Sequence, residues 1–194
     1  MPVSTDDISE RYLKKAIAEI NELAHEIAQA AGPDRVPVLG SGHPLAEIFL
    51  LKHAPTAAET HEGVAFFGRA GQAVLKSIQR LHVDPMAIYG TNCLKYDEEP
   101  QDEAQRWLAR ELHVVQPKLV IVMGSEAVKF LNAVRFPLAA EVTDERGAVQ
   151  RFTPTVEALV VPDVDASLDD QASKRAFWEA FKAVGPWWSE LPPY

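Results

Sequence analysis

Residues 48–75 read IFLLKHAPTAAETHEGVAFFGRAGQAVL, and residues 87–95 read AIYGTNCLK. In the first stretch Ile48-Phe49-Leu50-Leu51 is a short apolar run bounded by turn-forming residues, which reads as a buried strand. A polar segment from Lys52 to Gly63 follows. The spacing of Val74, Leu75, Ile78 and Leu81 then predicts a helix over residues 68–82. Ala87-Ile88-Tyr89-Gly90 repeats the apolar run, as do residues 119–123 and 158–161. Runs without polar alternation belong to strands covered on both faces, and such strands pair in parallel beneath helices. Helical segments at 102–115, 125–134 and 167–184 supply the cover. The expected class is α/β: a three-layer α/β/α sandwich around a central, mainly parallel four-stranded sheet. Residues 137–157, with Gly147 and alternating polar positions, read as a hairpin or an extended crossover.

A long helix precedes this core. Ile8, Tyr12, Leu13, Ile17, Ile20, Leu23, Ala24 and Ile27 recur at spacings of three and four, which marks an amphipathic helix ending at Gly32-Pro33. Ser4 and Thr5 supply a cap, and Asp6 and Asp7 put negative charge at its positive end. With 194 residues and 47% hydrophobic content the chain is expected to form one domain, residues 1–31 as helix and 32–194 as core. Phe177, Trp178 and Phe181 lie at helical spacing and are expected in that core.

Composition narrows the function classes. No stretch approaches the ~20 apolar residues that span a bilayer, so a cytoplasmic protein without a membrane partner is expected. The net charge of -9, with no Lys/Arg-rich block, does not point to nucleic acid. Cys93 is the sole cysteine, so the chain alone builds neither an internal disulfide nor a thiolate cluster. His61-Glu62 lacks the second histidine of a helical zinc motif, and Gly40-Ser41-Gly42 precedes a strand instead of following one. No metal and no cofactor are expected. In a parallel sheet, ligands bind beyond the carboxyl ends of the strands, where Lys52–Thr56, Thr91-Asn92, Gly124-Ser125 and Pro162–Asp165 fall.

One resemblance gives these ends a chemistry. Lys52-His53-Ala54-Pro55-Thr56, Glu59, Gly63 and Phe66-Phe67-Gly68-Arg69-Ala70-Gly71 resemble the family 4, iron-sulfur type uracil-DNA glycosylases in order and spacing. There the pattern is Gly-Glu-x-Pro-Gly, an acidic residue, Gly, and Pro-Phe-x-Gly-Arg-Ala-Gly. Thr91-Asn92-Cys93-Leu94-Lys95 is similar to the family's Thr-Asn-x-x-Lys strand end, and residues 117–124 to its strand ending in glycine. The resemblance implies the superfamily's fold and hydrolysis of the N-glycosidic bond of uracil or another deaminated base in DNA, as in base excision repair. Such cleavage leaves negative charge on the base and positive charge on the sugar, so a carboxylate near water and donors to the anion are useful. The flipped base also needs an aromatic face and an amide to read it. The resemblance assigns the aromatic face to Phe66, the amide to Asn92, the carboxylate near water to Glu59, backbone N–H groups to the vicinity of Ala54, and phosphate contacts to Arg69 and Ser167. Without the motif, Phe66 is core, Asn92 caps a turn, Glu59 is a solvated carboxylate and Arg69 pairs with an acidic neighbour.

The chain departs from that pattern where charge matters most. The four cluster cysteines are missing, with Tyr96 and approximately Ala104 at two of the positions, so no iron-sulfur cluster is expected. The first motif's glutamate is His53, its flanking glycines are Lys52 and Thr56, and the third motif's His-Pro-Ser is Asp165-Ala166-Ser167. His53 as acid or base with Asp165 orienting it would be a compensating swap. Alternatively His53 is a strand-end histidine and Asp165 the N-cap of the last helix. Asp163, Asp165, Asp169 and Asp170 gather where DNA phosphates would approach, and repulsion is expected there. Three readings therefore stay open: a cluster-free glycosylase acting on damaged DNA, a non-enzymatic relative that binds a nucleobase-like ligand or a protein partner, and a hydrolase of free nucleosides or nucleotides. Oligomeric state is left open.

Overall fold

The computed structural model describes residues 5–192, so Ser4 lies outside the described residues. Its sheet comprises β1 (Ser41–Gly42), β2 (Ile48–Lys52), β3 (Ile88–Asn92), β4 (Leu119–Met123), β5 (Val149–Arg151) and β6 (Glu157–Val161). The spatial order is β1-β3-β2-β4-β6-β5. The four inner strands are the expected parallel ones. The sheet has six strands rather than four, because β1 and β5 add short antiparallel edges to β3 and β6. These edges hold two and three residues, too few to show a period, and β5 makes the 137–157 region a hairpin with β6.

The helices are α1 (Thr5–Ala31), α2 (Ala57–Glu62), α3 (Arg69–Arg80), α4 (Gln101–Val115), α5 (Ser125–Ala133), α6 (Gln171–Phe181) and α7 (Val184–Ser189). Strand side chains alternate between faces, and both faces are apolar. Ile48, Leu50, Leu119, Ile121, Leu159 and Val161 pack with Val74 and Ile78 of α3, Phe177 and Phe181 of α6, and Trp187 of α7. Phe49, Leu51, Val120, Val122 and Val160 pack with Leu108 and Leu112 of α4 and Phe130 of α5. Outside α4 lies α1, which buries Leu23, Ile27 and Ala31 against Tyr96 and pairs Glu26 with Arg110. Ile8, Tyr12 and Ile17, in its first half, are exposed. No helix of the described residues is long and apolar enough to cross a membrane.

Two boundaries differ from the sequence reading. The last helix splits into α6 and α7, and it starts at Gln171 because the Asp170 carboxylate accepts from the Ser173 N–H at 2.8 Å. Asp170, not Asp165, is therefore its N-cap. The six-residue α2 went unread, although Thr56-Ala57-Ala58-Glu59 has the Thr-x-x-Glu form of a capping box, in which Thr56 and Glu59 cap each other's backbone N–H groups.

A buried ion pair joins the sheet to α4. Lys95 Nζ donates to Glu111 Oε2, Thr91 Oγ1 and the Asn92 carbonyl, each at 2.6 Å, while Glu111 Oε1 accepts from the Tyr89 and Thr91 hydroxyls. Removing one partner of such a pair strands the other in a dry site. Lys95→Met is expected to cost ~3–5 kcal/mol of unfolding free energy. Lys95→Met/Glu111→Gln should recover part of that loss in denaturant titration, and a single variant within error of the parent would refute the coupling.

Candidate functional site

Parallel register places Lys52, Asn92 and Met123 side by side at the carboxyl ends of β2, β3 and β4, on the face that α3 and α6 cover. The strand order reverses at β2, and ligand crevices of α/β sheets form at such a point.

Glu59 organises this end. As the third residue of α2 it turns back into the fold and is 1% exposed. Its Oε2 accepts from the Thr56 N–H at 2.7 Å and from Lys52 Nζ at 2.6 Å. Its Oε1 accepts from the Phe66 N–H at 2.5 Å and faces Asn92 Nδ2 at 3.5 Å. A buried carboxylate requires this kind of compensation. Lys52, also 1% exposed, spans to a second carboxylate, with Nζ 2.7 Å from Asp165 Oδ2. Burial pushes the Asp165 carboxyl above its usual range, the Lys52 hydrogen bond and charge pull it back, and the charges of Asp163 and Glu59 add to the rise.

Phe66 and Asn92 meet the same oxygen of this carboxylate, Oε1. Phe66 has a left-handed backbone (φ 61°), and its ring lies so close to Gly90 that a Cβ there would sit 2.7 Å from Cδ2. Gly71 is confined in the same way, since its Cβ would meet the Phe66 carbonyl oxygen at 1.8 Å. Lys52 Nζ lies over the Phe66 ring, 5.7 Å from its centroid. Asn92 is fully buried, and with its Nδ2 turned to the carboxylate its Oδ1 has no hydrogen-bond partner among the described residues.

The remaining candidates sit around this cluster. His53 is half-buried, edge-on to Phe130, and lines a cavity of about 350 Å³ with Gly124, Ser125, Arg146 and Ser167. The hydrogen bond of the Asp165 carboxylate goes to Lys52 and not to His53. Ala54 is exposed, and its carbonyl lies 3.5 Å from Lys52 Nζ. Arg69 is exposed and bonded to Asp169 at 2.6 Å, while Ser167 is buried and donates to the Asp163 carbonyl at 2.6 Å. Each acidic residue of this loop is engaged: Asp163 accepts from the Asp165 N–H, Asp165 holds Lys52, Asp169 holds Arg69 and Asp170 caps α6. Lys52 was not singled out from sequence as a functional group. The available signal was a lysine ending an apolar strand, since a buried ammonium demands carboxylate partners.

An iron-sulfur cluster does not fit the residues present. Tyr96 packs against α1 with Arg35 over its ring, Ala104 is fully buried beside the sheet, and Cys93 is buried, with burial pushing its thiol pKa up. Among the described residues no group of three or more His, Cys, Asp or Glu side chains is placed to hold a metal ion.

The fold and site define an α/β sandwich with a polar, charge-paired site at the carboxyl edge of its parallel strands. The chain belongs to the Uracil DNA glycosylase superfamily, whose family model matches residues 39–182. It is 24% identical over 159 residues to a Type-4 uracil-DNA glycosylase of Archaeoglobus fulgidus, covering 76% of this chain and 80% of that protein. It is 26% identical over 119 residues to that of Sulfurisphaera tokodaii, covering 57% of this chain and 54% of the relative. The likeness to the Pyrobaculum aerophilum protein is 25% over 118 residues, 57% of this chain and 60% of the relative. The chain thus spans little more than half the length of two of these three relatives.

The raised Asp165 pKa has a consequence for stability. A carboxyl that holds its proton more tightly when folded contributes stability at low pH, and that contribution is lost as pH rises through the folded-state pKa. The unfolding free energy of the parent minus that of Asp165→Asn is therefore expected to fall as pH rises from the ordinary carboxylate range through the raised value, then level off. Chemical denaturation across that range checks it, and a difference that grows with pH would contradict the assignment.

Proposed function

We propose that this protein binds a deaminated nucleobase everted from DNA and hydrolyses its N-glycosidic bond. The observation that carries the reading is Asn92, whose buried Oδ1 lacks a partner. Buried acceptors are almost always satisfied, so one left open at a strand end, next to a carboxylate that also holds the Phe66 N–H, favours a ligand donor there. Deamination converts a ring-nitrogen acceptor of cytosine or adenine into the N–H donor of uracil or hypoxanthine. An acceptor held at this point selects that N–H, while Nδ2 remains to meet the adjacent carbonyl.

The roles follow from position. Phe66 stacks on the base. Glu59 holds the clamp together instead of activating water, because its two oxygens already face four donors. His53, which lines the open cavity, takes the proton of the attacking water. The charge of the acidic loop is offset in part, since Asp165 and Asp169 are paired with cations, while Asp163 and Asp170 accept backbone N–H groups and keep theirs. Family membership and the three Type-4 uracil-DNA glycosylase relatives support the same reading.

A second reading draws on Lys52. A buried ammonium over the Phe66 ring fills space beside the clamp, as expected of a relative that binds a base-like ligand or a protein partner without cleaving anything.

Single-turnover assays on single- and double-stranded oligonucleotides decide between them. Uracil or hypoxanthine should be released and cytosine and adenine retained. Asn92→Ala is expected to slow release by ~10²–10³-fold, and His53→Ala by ~10²-fold or more. Absence of release from every oligonucleotide would exclude the glycosylase and leave the second reading. Release from free nucleosides alone would move the activity away from DNA.

A further inference from the structure

Glycosidic cleavage leaves the electron pair of the C1′–N bond on the base, and a site that accelerates it needs positive charge or a strong donor at the base edge. In the chain's third motif the histidine of His-Pro-Ser is replaced by Asp165, an acid. The cation that the fold brings to the clamp comes from another strand. Lys52 on β2 lies in register with Asn92 on β3, and its ammonium lies over the Phe66 ring, 5.7 Å from the centroid. An ammonium carries three protons. Glu59 and Asp165 accept two of them, at 2.6 and 2.7 Å. The third has the Ala54 carbonyl at 3.5 Å, a long contact that a closer acceptor would displace.

We propose that Lys52 is a catalytic residue for the leaving group. Its third N–H donates to the carbonyl oxygen of the base stacked on Phe66, and its charge offsets the negative charge that the base acquires as the bond breaks. Water oxygen bonds to C1′, its proton passes to His53, and the base anion is released after taking up a proton from solvent, so atoms and charge balance. Glu59 and Asp165 are positioning residues in this scheme: they hold the ammonium at the base edge and keep it from swinging into the space of the base. The inference rests on the proposed glycosylase reading, and it assigns the cation to β2, where the motif after β6 offers an acid.

The test compares two leaving groups. The parent chain and Lys52→Met are assayed under single-turnover conditions on oligonucleotides carrying uracil or 5-fluorouracil, whose fluorine stabilises the departing anion. Lys52→Met is expected to lose ~10²–10³-fold on uracil and clearly less on 5-fluorouracil, because the better leaving group depends less on the missing charge. If Lys52→Met folds poorly, Lys52→Met/Asp165→Asn, which removes one of the two stranded carboxylates, carries the same comparison. Equal losses on both bases would make Lys52 merely structural, and unchanged or faster release would make it a plug. Either result overturns the inference while leaving the glycosylase reading intact. Borohydride trapping of a covalent complex lost in Lys52→Met would also overturn it, since the amine would then act as a nucleophile. A parent that releases neither base would remove the glycosylase reading and this inference with it.

Discussion

The Glu59 carboxylate is the constraint on which the site depends. Buried, it must be satisfied from several directions, and its donors come from four parts of the chain: Lys52 at the end of β2, Thr56 at the start of α2, Phe66 before α3 and Asn92 at the end of β3. One acid thus caps a helix, fixes a left-handed phenylalanine and orients an amide. Its neutralisation by Lys52 draws in Asp165 from the loop after β6, which closes the site around a single chain of charges. A ring or amide held this way has little freedom to lose when a ligand arrives, and that is the advantage of preorganisation.

A second buried lysine–glutamate pair sits on the opposite face of the same strand ends. Lys95 and Glu111 grip Thr91 and the Asn92 carbonyl from the α4 side, while Lys52 and Glu59 work from the α2 and α3 side. The last residues of β3 are therefore clamped from both faces. Buried pairs of this kind are weak sources of stability, but they fix geometry, because any displacement leaves a charge without its partner. The apolar layers above and below the sheet supply the stabilisation, and the two pairs supply the aim of Asn92.

The acidic surface becomes intelligible in the same terms. A net charge of -9 and four aspartates after β6 oppose an approach to phosphates when counted as a sum. In the fold those carboxylates are bonded to Lys52, Arg69 and backbone N–H groups, so the loop acts as scaffold for its own turn and for the start of α6. Charge has also been redistributed within the site: an acid stands where the resemblance has a histidine, a histidine where it has an acid, and a lysine where it has a glycine. The structure links the first and third of these changes directly, through the Lys52–Asp165 pair.

The sequence by itself determined the layers. Uninterrupted apolar runs and three-to-four spacing are local signals, strong enough to place the four inner strands, most helices and the polar strand ends, and the motif spacing marked Phe66, Asn92 and Glu59. The edge strands and α2 escaped because two to six residues carry no readable period, and the start of the final helical segment turned on one Asp170 side chain. Which charge meets which was decided only in three dimensions. Lys52 and Asp165 are 113 residues apart and Asn92 and Glu59 33 apart, and no pattern along the chain encodes such pairs. They arise because parallel strands bring their carboxyl ends to one edge, where burial forces every ammonium and carboxylate to find a partner.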